Sequence, residues 1–209
     1  MNQMKCSKDD APAELDATFW DDLWKSNTTG WDLKDASPAL TAYFDTFSCK
    51  NKSILIPGCG NAYEVIYLLQ QGFKNITIID ISATLVQSLL TKFEKNVGKE
   101  LTIICGDFFK HTGQYDFIIE QTFFCALPKN RRSDYAQKMQ NLLKKDGILA
   151  GLLFNIEFEK NPPFGGNKEE YIALFEPLFT INKMEITTQS VQPRMGSELF
   201  FELIKKEVA

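Results

Sequence analysis

Short apolar runs alternate along this chain with segments in which apolar residues recur every three or four positions. The alternation predicts an α/β fold, because buried parallel strands read as continuous apolar runs and the helices that cover them as amphipathic stripes. The predicted strands are 53–56, 76–80, 101–105, 117–120 and 148–154. The predicted helices between them are 61–70, one that starts at Ser82, and one that carries Tyr135, Met139, Leu142 and Leu143.

The two ends of the chain complete this pattern. Upstream, 13–24 reads as an amphipathic helix, and Ser37-Pro38 is typical of a helix start with a hydroxyl cap followed by proline. Downstream, 179–185 and 199–205 are strand-like runs with no helix predicted between them, so we expect an antiparallel hairpin. The expected fold is a doubly wound, seven-stranded, mostly parallel sheet with a C-terminal antiparallel hairpin.

Length and composition fit a single globular domain over 1–209, with 1–34 as an N-terminal tail and lid segment. The formal net charge of -4 argues against a general affinity for nucleic acid. Neither a bilayer-spanning run nor a secretory signal is recognisable. The cysteines form no Cys-x-x-Cys pair, which argues against a zinc site and a disulfide framework. We therefore expect a cytoplasmic, monomeric protein that holds no metal, avoids membranes and acts on a small molecule.

A glycine-containing turn follows the first strand, in the segment Pro57-Gly58-Cys59-Gly60. Asp80 ends the second strand about 20 residues further on, where an acid can bind ribose hydroxyls. Asp107 follows the third strand. Taken singly, Asp80 is equally compatible with a helix cap and Asp107 with a turn. Their shared position at carboxyl ends of strands favours a nucleoside-binding site, because doubly wound sheets bind ligands there.

The identity of the nucleoside cofactor depends on the position that normally brings a helix close to a pyrophosphate. Dinucleotide-binding loops have a small third residue there, whereas this chain has Tyr63. S-adenosylmethionine (SAM) carries no phosphate and needs no such approach. The tyrosine therefore favours SAM over NAD(P), and a methyltransferase over an oxidoreductase.

Segments spread over the chain resemble the thiopurine S-methyltransferase family, whose relatives include plant halide/thiol methyltransferases. Phe123-Phe124-Cys125-Ala126 is closer to the halide/thiol branch. The segments are Phe19-Trp20-Asp21-Asp22-Leu23-Trp24, Gly30-Trp31-Asp32, Pro57-Gly58-Cys59-Gly60, Gly106-Asp107-Phe108-Phe109, Glu120-Gln121-Thr122-Phe123-Phe124-Cys125-Ala126-Leu127 and Asn161-Pro162-Pro163-Phe164.

The resemblance implies a seven-stranded SAM methyltransferase fold in which Trp24 and Trp31 form a lid over SAM. It further implies that Asp80 binds ribose, that Asp107 and Phe108 meet adenine, and that Glu120 lies near the methionine part. The full predicted cofactor-binding set is Trp24, Trp31, Leu55, Gly58, Gly60, Asp80, Ile81, Ser82, Asp107, Phe108 and Glu120. The chain departs from the thiopurine branch at Gln121, where that branch has arginine, and from the halide/thiol branch at Phe164, where that branch has tyrosine.

The acceptor is predicted from the scarcity of general bases. The chain has one histidine, His111, in a polar stretch typical of an exposed loop. Thiols, hydrosulfide, halides and thiocyanate need little deprotonation, so we expect methyl transfer to such a small soft nucleophile or to a thiopurine-like acceptor. Glu120 and Asp21 remain possible bases, and the alternatives are an O- or N-methyltransferase of small molecules and a non-catalytic SAM-binding protein. The predicted substrate pocket consists of Trp20, Gln121, Phe124, Phe158 and Phe164.

Overall fold

The protein forms one seven-stranded sheet in a computed structural model that describes residues 15–207. The strand order is β3-β2-β1-β4-β5-β7-β6, parallel from β3 to β5, with β7 antiparallel to both of its neighbours. Successive strands add toward one edge of the sheet from β1 to β3 and toward the other edge from β4 onward, which confirms the doubly wound fold. The antiparallel pairing of β6 with β7 confirms the terminal hairpin. The strands are β1 Ile54–Pro57, β2 Ile76–Asp80, β3 Leu101–Cys105, β4 Tyr115–Gln121, β5 Leu143–Phe154, β6 Phe179–Ile186 and β7 Glu198–Lys205.

Helices cover both faces of the sheet because each carries an apolar stripe. One buried cluster contains side chains of α2, α3 and α4, and the other contains side chains of α5 and α6. The central strands therefore lie between two apolar layers, which leaves their ends open to a ligand. The helices are α1 Ala17–Lys25, α2 Pro38–Asp45, α3 Tyr63–Gln70, α4 Ala83–Lys92, α5 Arg132–Leu142 and α6 Lys168–Phe175.

The predicted starts of α2 and α4 are confirmed, whereas α1 begins at Ala17, after the predicted start at residue 13. Ser82 caps α4, since its hydroxyl accepts the N–H of Leu85 at 3.2 Å. Helix α2 begins at Pro38 as expected, but Ser37 makes no hydroxyl cap; its N–H instead donates to the buried carboxylate of Glu64 at 3.0 Å. Helix α1 begins at Ala17 because Asp16 accepts the N–H of Phe19 at 2.9 Å.

Two further elements differ from the sequence prediction. Helix α6 was not predicted, although Tyr171 and Phe175 are buried one turn apart on it and Asn167 caps it. Strand β5 starts at Leu143 rather than at 148, so Leu143 belongs to the sheet and not to α5; it pairs with Tyr115 of β4. The part of the predicted first helix before residue 15, together with the N-terminal tail, lies outside the described residues.

Candidate cofactor and acceptor site

The glycine loop between β1 and α3 is the centre of the site. Gly58 and Gly60 have φ angles of +55° and +50°, a region that favours glycine. A Cβ atom on Gly58 would lie 2.4 Å from the ring of Phe123, so this glycine also permits a close approach. A Cβ atom on Gly60 would meet only Trp24, at 3.9 Å. The loop is therefore a backbone surface framed by two aromatic side chains.

Asp80 lies beside this loop at the end of β2. Its two carboxylate oxygens accept the N–H of Gly60 at 3.4 Å and the N–H of Ser82 at 3.0 Å. Burial raises its pKa to about 6, against the opposing effect of these hydrogen bonds. Ile81 is half-buried and Ser82 is fully buried at the start of α4. Asp80 retains accepting capacity at the point where the sequence predicts ribose.

The three tryptophans form one cluster above the glycine loop. The ring of Trp31 meets the rings of Trp20 and Trp24 edge-on, with centroids 5.7 and 6.0 Å away. Trp24 in turn reaches Gly60. The predicted lid residues are thus brought to the predicted cofactor loop. Trp20, which the sequence assigns to the acceptor pocket, belongs to the same cluster.

Two aspartates fasten the predicted lid segment to the rest of the fold. One oxygen of Asp21 accepts the Ser82 hydroxyl and the Thr84 N–H, each at 2.7 Å, and the other pairs with Lys25 at 2.8 Å. These contacts hold the pKa of Asp21 well below its usual range. Because its oxygens are engaged in fixing α1 to α4, Asp21 is a poor general base. It is a structural anchor of the predicted lid segment.

The second aspartate, Asp32, adjoins Trp31. Its carboxylate accepts the side-chain amide of Asn61 at 2.8 Å and the hydroxyl of Tyr63 at 3.3 Å. Tyr63 is the residue that stands where dinucleotide-binding loops have a small one. Its contact with Asp32 was not foreseen from the sequence, because nothing in the spacing links positions 32 and 63.

The predicted adenine side lies after β3. Asp107 accepts the N–H of Phe109 at 2.8 Å and caps a short 3₁₀ turn. Phe108 is only 5% exposed, and its ring packs edge-on against Phe109 and Phe123. Asp107 therefore has free accepting capacity near the site, whereas most of the Phe108 ring faces the core.

Glu120 is the last residue but one of β4 and has no exposed surface. It accepts hydrogen bonds from the N–H groups of Phe123 and Phe124, at 2.7 and 2.9 Å, and from the Tyr135 hydroxyl at 2.7 Å. Burial raises its pKa to about 7. Three donors already surround this carboxyl group, so the geometry gives it the task of shaping the 121–126 turn rather than that of removing a proton from an acceptor.

The predicted site residues in and near the 121–126 turn differ in whether they lie at the glycine loop or in the core. The side-chain oxygen of Gln121 is buried and has no hydrogen-bond partner among the described residues. Phe123 packs next to Gly58. The sequence prediction did not include it in the site, although it lies in the 120–127 segment that resembles the family. Leu55 and Phe124 are completely or almost completely buried in the core, so the structure gives no support to their predicted cofactor and substrate contacts.

A loop after β5 carries two residues of the predicted substrate pocket, Phe158 and Phe164. The N–H of Phe164 donates to the carbonyl of Cys125 at 2.6 Å, and Arg132 donates to the carbonyl of Gly165 at 2.7 Å. Phe158 packs against Phe154 with ring centroids 5.0 Å apart. Burial raises the pKa of the Cys125 thiol to about 12, which argues against a role as nucleophile.

The fold and the glycine loop with its acid define a class: Rossmann-like proteins that bind a nucleoside cofactor at the carboxyl ends of parallel strands. The same fold occurs in solved methyltransferases. The magnesium protoporphyrin IX methyltransferase of Synechocystis PCC 6803, crystallised with S-adenosylhomocysteine (SAH), matches with a TM-score of 0.72 at 15% identity, over 91% of this chain and 100% of that chain. At that identity the likeness shows the fold.

The sequence identifies the family within this class. The family model of thiopurine S-methyltransferase matches residues 15–206, and the chain belongs to that family. Probable thiol methyltransferase 2 of Arabidopsis thaliana is 33% identical over 86% of this chain and 81% of its own length. The thiopurine S-methyltransferase of Photobacterium profundum is 30% identical over 78% of this chain and 83% of its own length. The protein is thus a SAM-dependent methyltransferase.

The side chains present fit SAM. The backbone of Gly60 is open to contact, Asp80 presents a carboxylate beside it, and Gln121 has a buried oxygen that lacks a donor. None of the described residues form a cluster of three or more potential metal ligands, and no helix within 15–207 is long and apolar enough to cross a membrane.

Proposed function

We propose that the protein methylates a small soft nucleophile: a thiol, hydrosulfide, thiocyanate, a halide or a thiopurine-like acceptor. The observation that carries this proposal is that the two candidate general bases, Glu120 and Asp21, are already held by hydrogen bonds within the protein. Glu120 is surrounded by three donors and Asp21 anchors the lid. The sole histidine, His111, contacts the Tyr115 hydroxyl at 2.8 Å, in the turn that precedes β4 and not at the carboxyl ends of the strands. Acceptors that ionise without help suit such a site.

In this proposal the predicted cofactor residues divide the work. Asp80 binds the ribose hydroxyls, Asp107 binds the adenine amino group, and Trp24 and Trp31 cover the cofactor. Bound SAM supplies a methyl group on a positively charged sulfonium. The protein contributes orientation and exclusion of water, both of which accelerate a direct transfer that loses charge.

The acceptor side is proposed to lie between the 121–126 turn and the loop after β5. Gln121 supplies a polar contact there, and Phe158 and Phe164 supply apolar contacts. An apolar wall favours a polarizable acceptor over a strongly hydrated one. We further propose that the chain acts as a single-domain monomer in the cytoplasm, in keeping with its negative charge and with the free thiols of Cys49, Cys59, Cys105 and Cys125.

The first experiment is calorimetric titration with SAM and SAH, followed by product assays with hydrosulfide, thiocyanate, iodide, an aryl thiol and a thiopurine. A catechol and a primary amine serve as oxygen and nitrogen acceptors. We expect tight SAH binding and turnover of the sulfur or halide acceptors. A matched variant, Asp146→Asn at the opposite end of the sheet, should behave as the wild type.

At saturating SAM, the rate with the aryl thiol should follow ionisation of the thiol itself and show no further acidic limb from an enzyme base. Turnover confined to the catechol or the amine would refute the proposed acceptor class. Binding of SAH without turnover of any acceptor would favour a non-catalytic role. An absence of SAH binding would refute the proposed site.

A further inference from the structure

The lid is held from a third direction, by a residue distant in sequence. Asp21 and Asp32 tie it to α4 and α3, on the nucleoside side of the sheet. The carbonyl oxygen of Trp31 accepts a hydrogen bond at 2.9 Å from Nη2 of Arg194, in the loop between β6 and β7. The terminal hairpin is thereby connected directly to the lid.

The Arg194 side chain is itself held in place. Its Nη1 donates to the Glu198 carboxylate at 3.2 Å, and its guanidinium group lies 5.2 Å from the ring centre of Phe154. The side chain is 11% exposed, and that of Glu198 is 3% exposed. Glu198 also accepts the hydroxyl of Ser190. A guanidinium group fixed by one carboxylate can present its other nitrogen in a constant direction, because the fork is planar and rigid.

Movement at Trp31 would spread through the lid. Its ring packs edge-on against both Trp20 and Trp24, and the ring of Trp24 lies 3.9 Å from the position that a Cβ atom on Gly60 would take. The loop that carries Arg194 also touches the start of the acceptor wall, since the N–H of Asn155 donates to the carbonyl of Ser197 at 2.7 Å. One loop therefore contacts both the segment over the cofactor and the wall beside the acceptor.

We propose that Arg194 is a positioning residue that fixes Trp31, and with it the tryptophan lid, over the cofactor. The inference rests on the proposed function, which places SAM beneath this lid. Arg194 acts on the cofactor through Trp31, and its effect falls on retention of SAM and SAH.

The test measures how fast SAH leaves. Arg194→Lys keeps the charge but lacks the fork needed to bind Glu198 and the Trp31 carbonyl together. We expect SAH dissociation, followed by stopped-flow tryptophan fluorescence, to accelerate about tenfold, equivalent to about 1.4 kcal/mol. The double variant Arg194→Met/Glu198→Gln removes the contact without leaving a buried carboxylate unpaired and should behave in the same way.

Ser190→Ala is the matched control, because it removes a buried hydrogen bond to Glu198 but keeps the contact between Arg194 and Trp31. We expect it to lower the melting temperature while SAH leaves at the wild-type rate. Lys183→Met, on the exposed side of β6, should change neither quantity.

Faster release in the folded Arg194 variants, with an unchanged rate in Ser190→Ala, supports the proposal. Wild-type release rates in both Arg194 variants, or equal acceleration in Ser190→Ala, would overturn it and leave the proposed function intact. If Arg194→Lys does not fold, the double variant decides. Failure of the wild-type protein to bind SAH would instead remove the proposed function on which this inference rests.

Discussion

Glu120 offers a direct test of the buried environment described for its carboxyl group, because its ionisation should change the free energy of unfolding with pH. The substitution Glu120→Gln keeps the shape of the side chain. The amide oxygen can still accept the N–H groups of Phe123 and Phe124, and the amide nitrogen can donate to the Tyr135 hydroxyl, which then reverses its role. The variant therefore removes the ionisable group while the 121–126 turn keeps its hydrogen bonds.

The magnitude follows from the pKa. Burial raises the pKa of Glu120 from 4.5 to about 7, so between these values the native state holds a proton that the unfolded state has released. Stability then falls as pH rises, because the native state binds more protons than the unfolded state. The raised pKa corresponds to a total loss of about 3 kcal/mol, most of it between about pH 5 and about pH 8. Glu120→Gln should lack this loss.

The assay is urea unfolding of both proteins across that pH range. The difference in unfolding free energy between Glu120→Gln and wild type should shift by about 2 to 3 kcal/mol in favour of the variant as pH rises. Other titrating groups, including Asp80, contribute to both proteins and cancel. The second variant, Tyr135→Phe, removes a hydrogen-bond donor that lowers the pKa of Glu120. The fall in its unfolding free energy with rising pH should therefore occur at higher pH than in the wild type. Parallel pH profiles for wild type and Glu120→Gln would refute the reasoning.

Three further predictions concern the cofactor loop and the lid. Asp80→Asn should raise the SAM dissociation constant, measured by calorimetry, about 10- to 100-fold, because it replaces the charged acceptor of the proposed ribose hydrogen bonds. The affinity of the wild-type protein for SAM should also fall below about pH 6, because the Asp80 carboxylate, with its raised pKa, binds a proton there. An unchanged constant would exclude Asp80 from the site. Gly58→Ala should destabilise the protein by about 2 to 4 kcal/mol in urea unfolding, through positive φ and contact with Phe123, but by only about 1 kcal/mol in a Phe123→Ala background. Equal losses would show that the ring is not the obstacle. Trp31→Ala should weaken SAM binding more than Trp20→Ala, and the reverse order would mean that the lid is misassigned.

Strand positions and sheet class could be predicted from the sequence because burial on both faces leaves continuous apolar runs. The runs in β1, β2 and β3 match the structure to within one residue. Helix α6 escaped prediction because its apolar residues form the unbroken run 171–175, which shows no helical spacing, and only contact with the core reveals that Tyr171 and Phe175 are the buried ones. The start of β5 was missed since Lys144, Lys145 and Asp146 interrupt its apolar pattern.

The candidate site likewise contains residues whose positions the sequence predicts and residues whose roles only the three-dimensional contacts reveal. Gly58, Gly60 and Asp80 follow strands, so their approximate positions come from the order of elements alone. The roles of Glu120 and Asp21 depend on which donors surround them in three dimensions, and those donors are mainly backbone N–H groups that no residue pattern marks. The contact of Arg194 with Trp31 also ends on a backbone carbonyl, so neither side-chain identity nor spacing could reveal it.

Tyr63 connects the choice of cofactor with the construction of the lid. In a dinucleotide-binding loop this position must be small, because the helix approaches a pyrophosphate. A cofactor without phosphate removes that requirement, and the space can hold a phenol ring. Here the ring carries its hydroxyl to Asp32, next to Trp31. The bulk that argues against NAD(P) is therefore the same bulk that contacts the proposed tryptophan lid through Asp32.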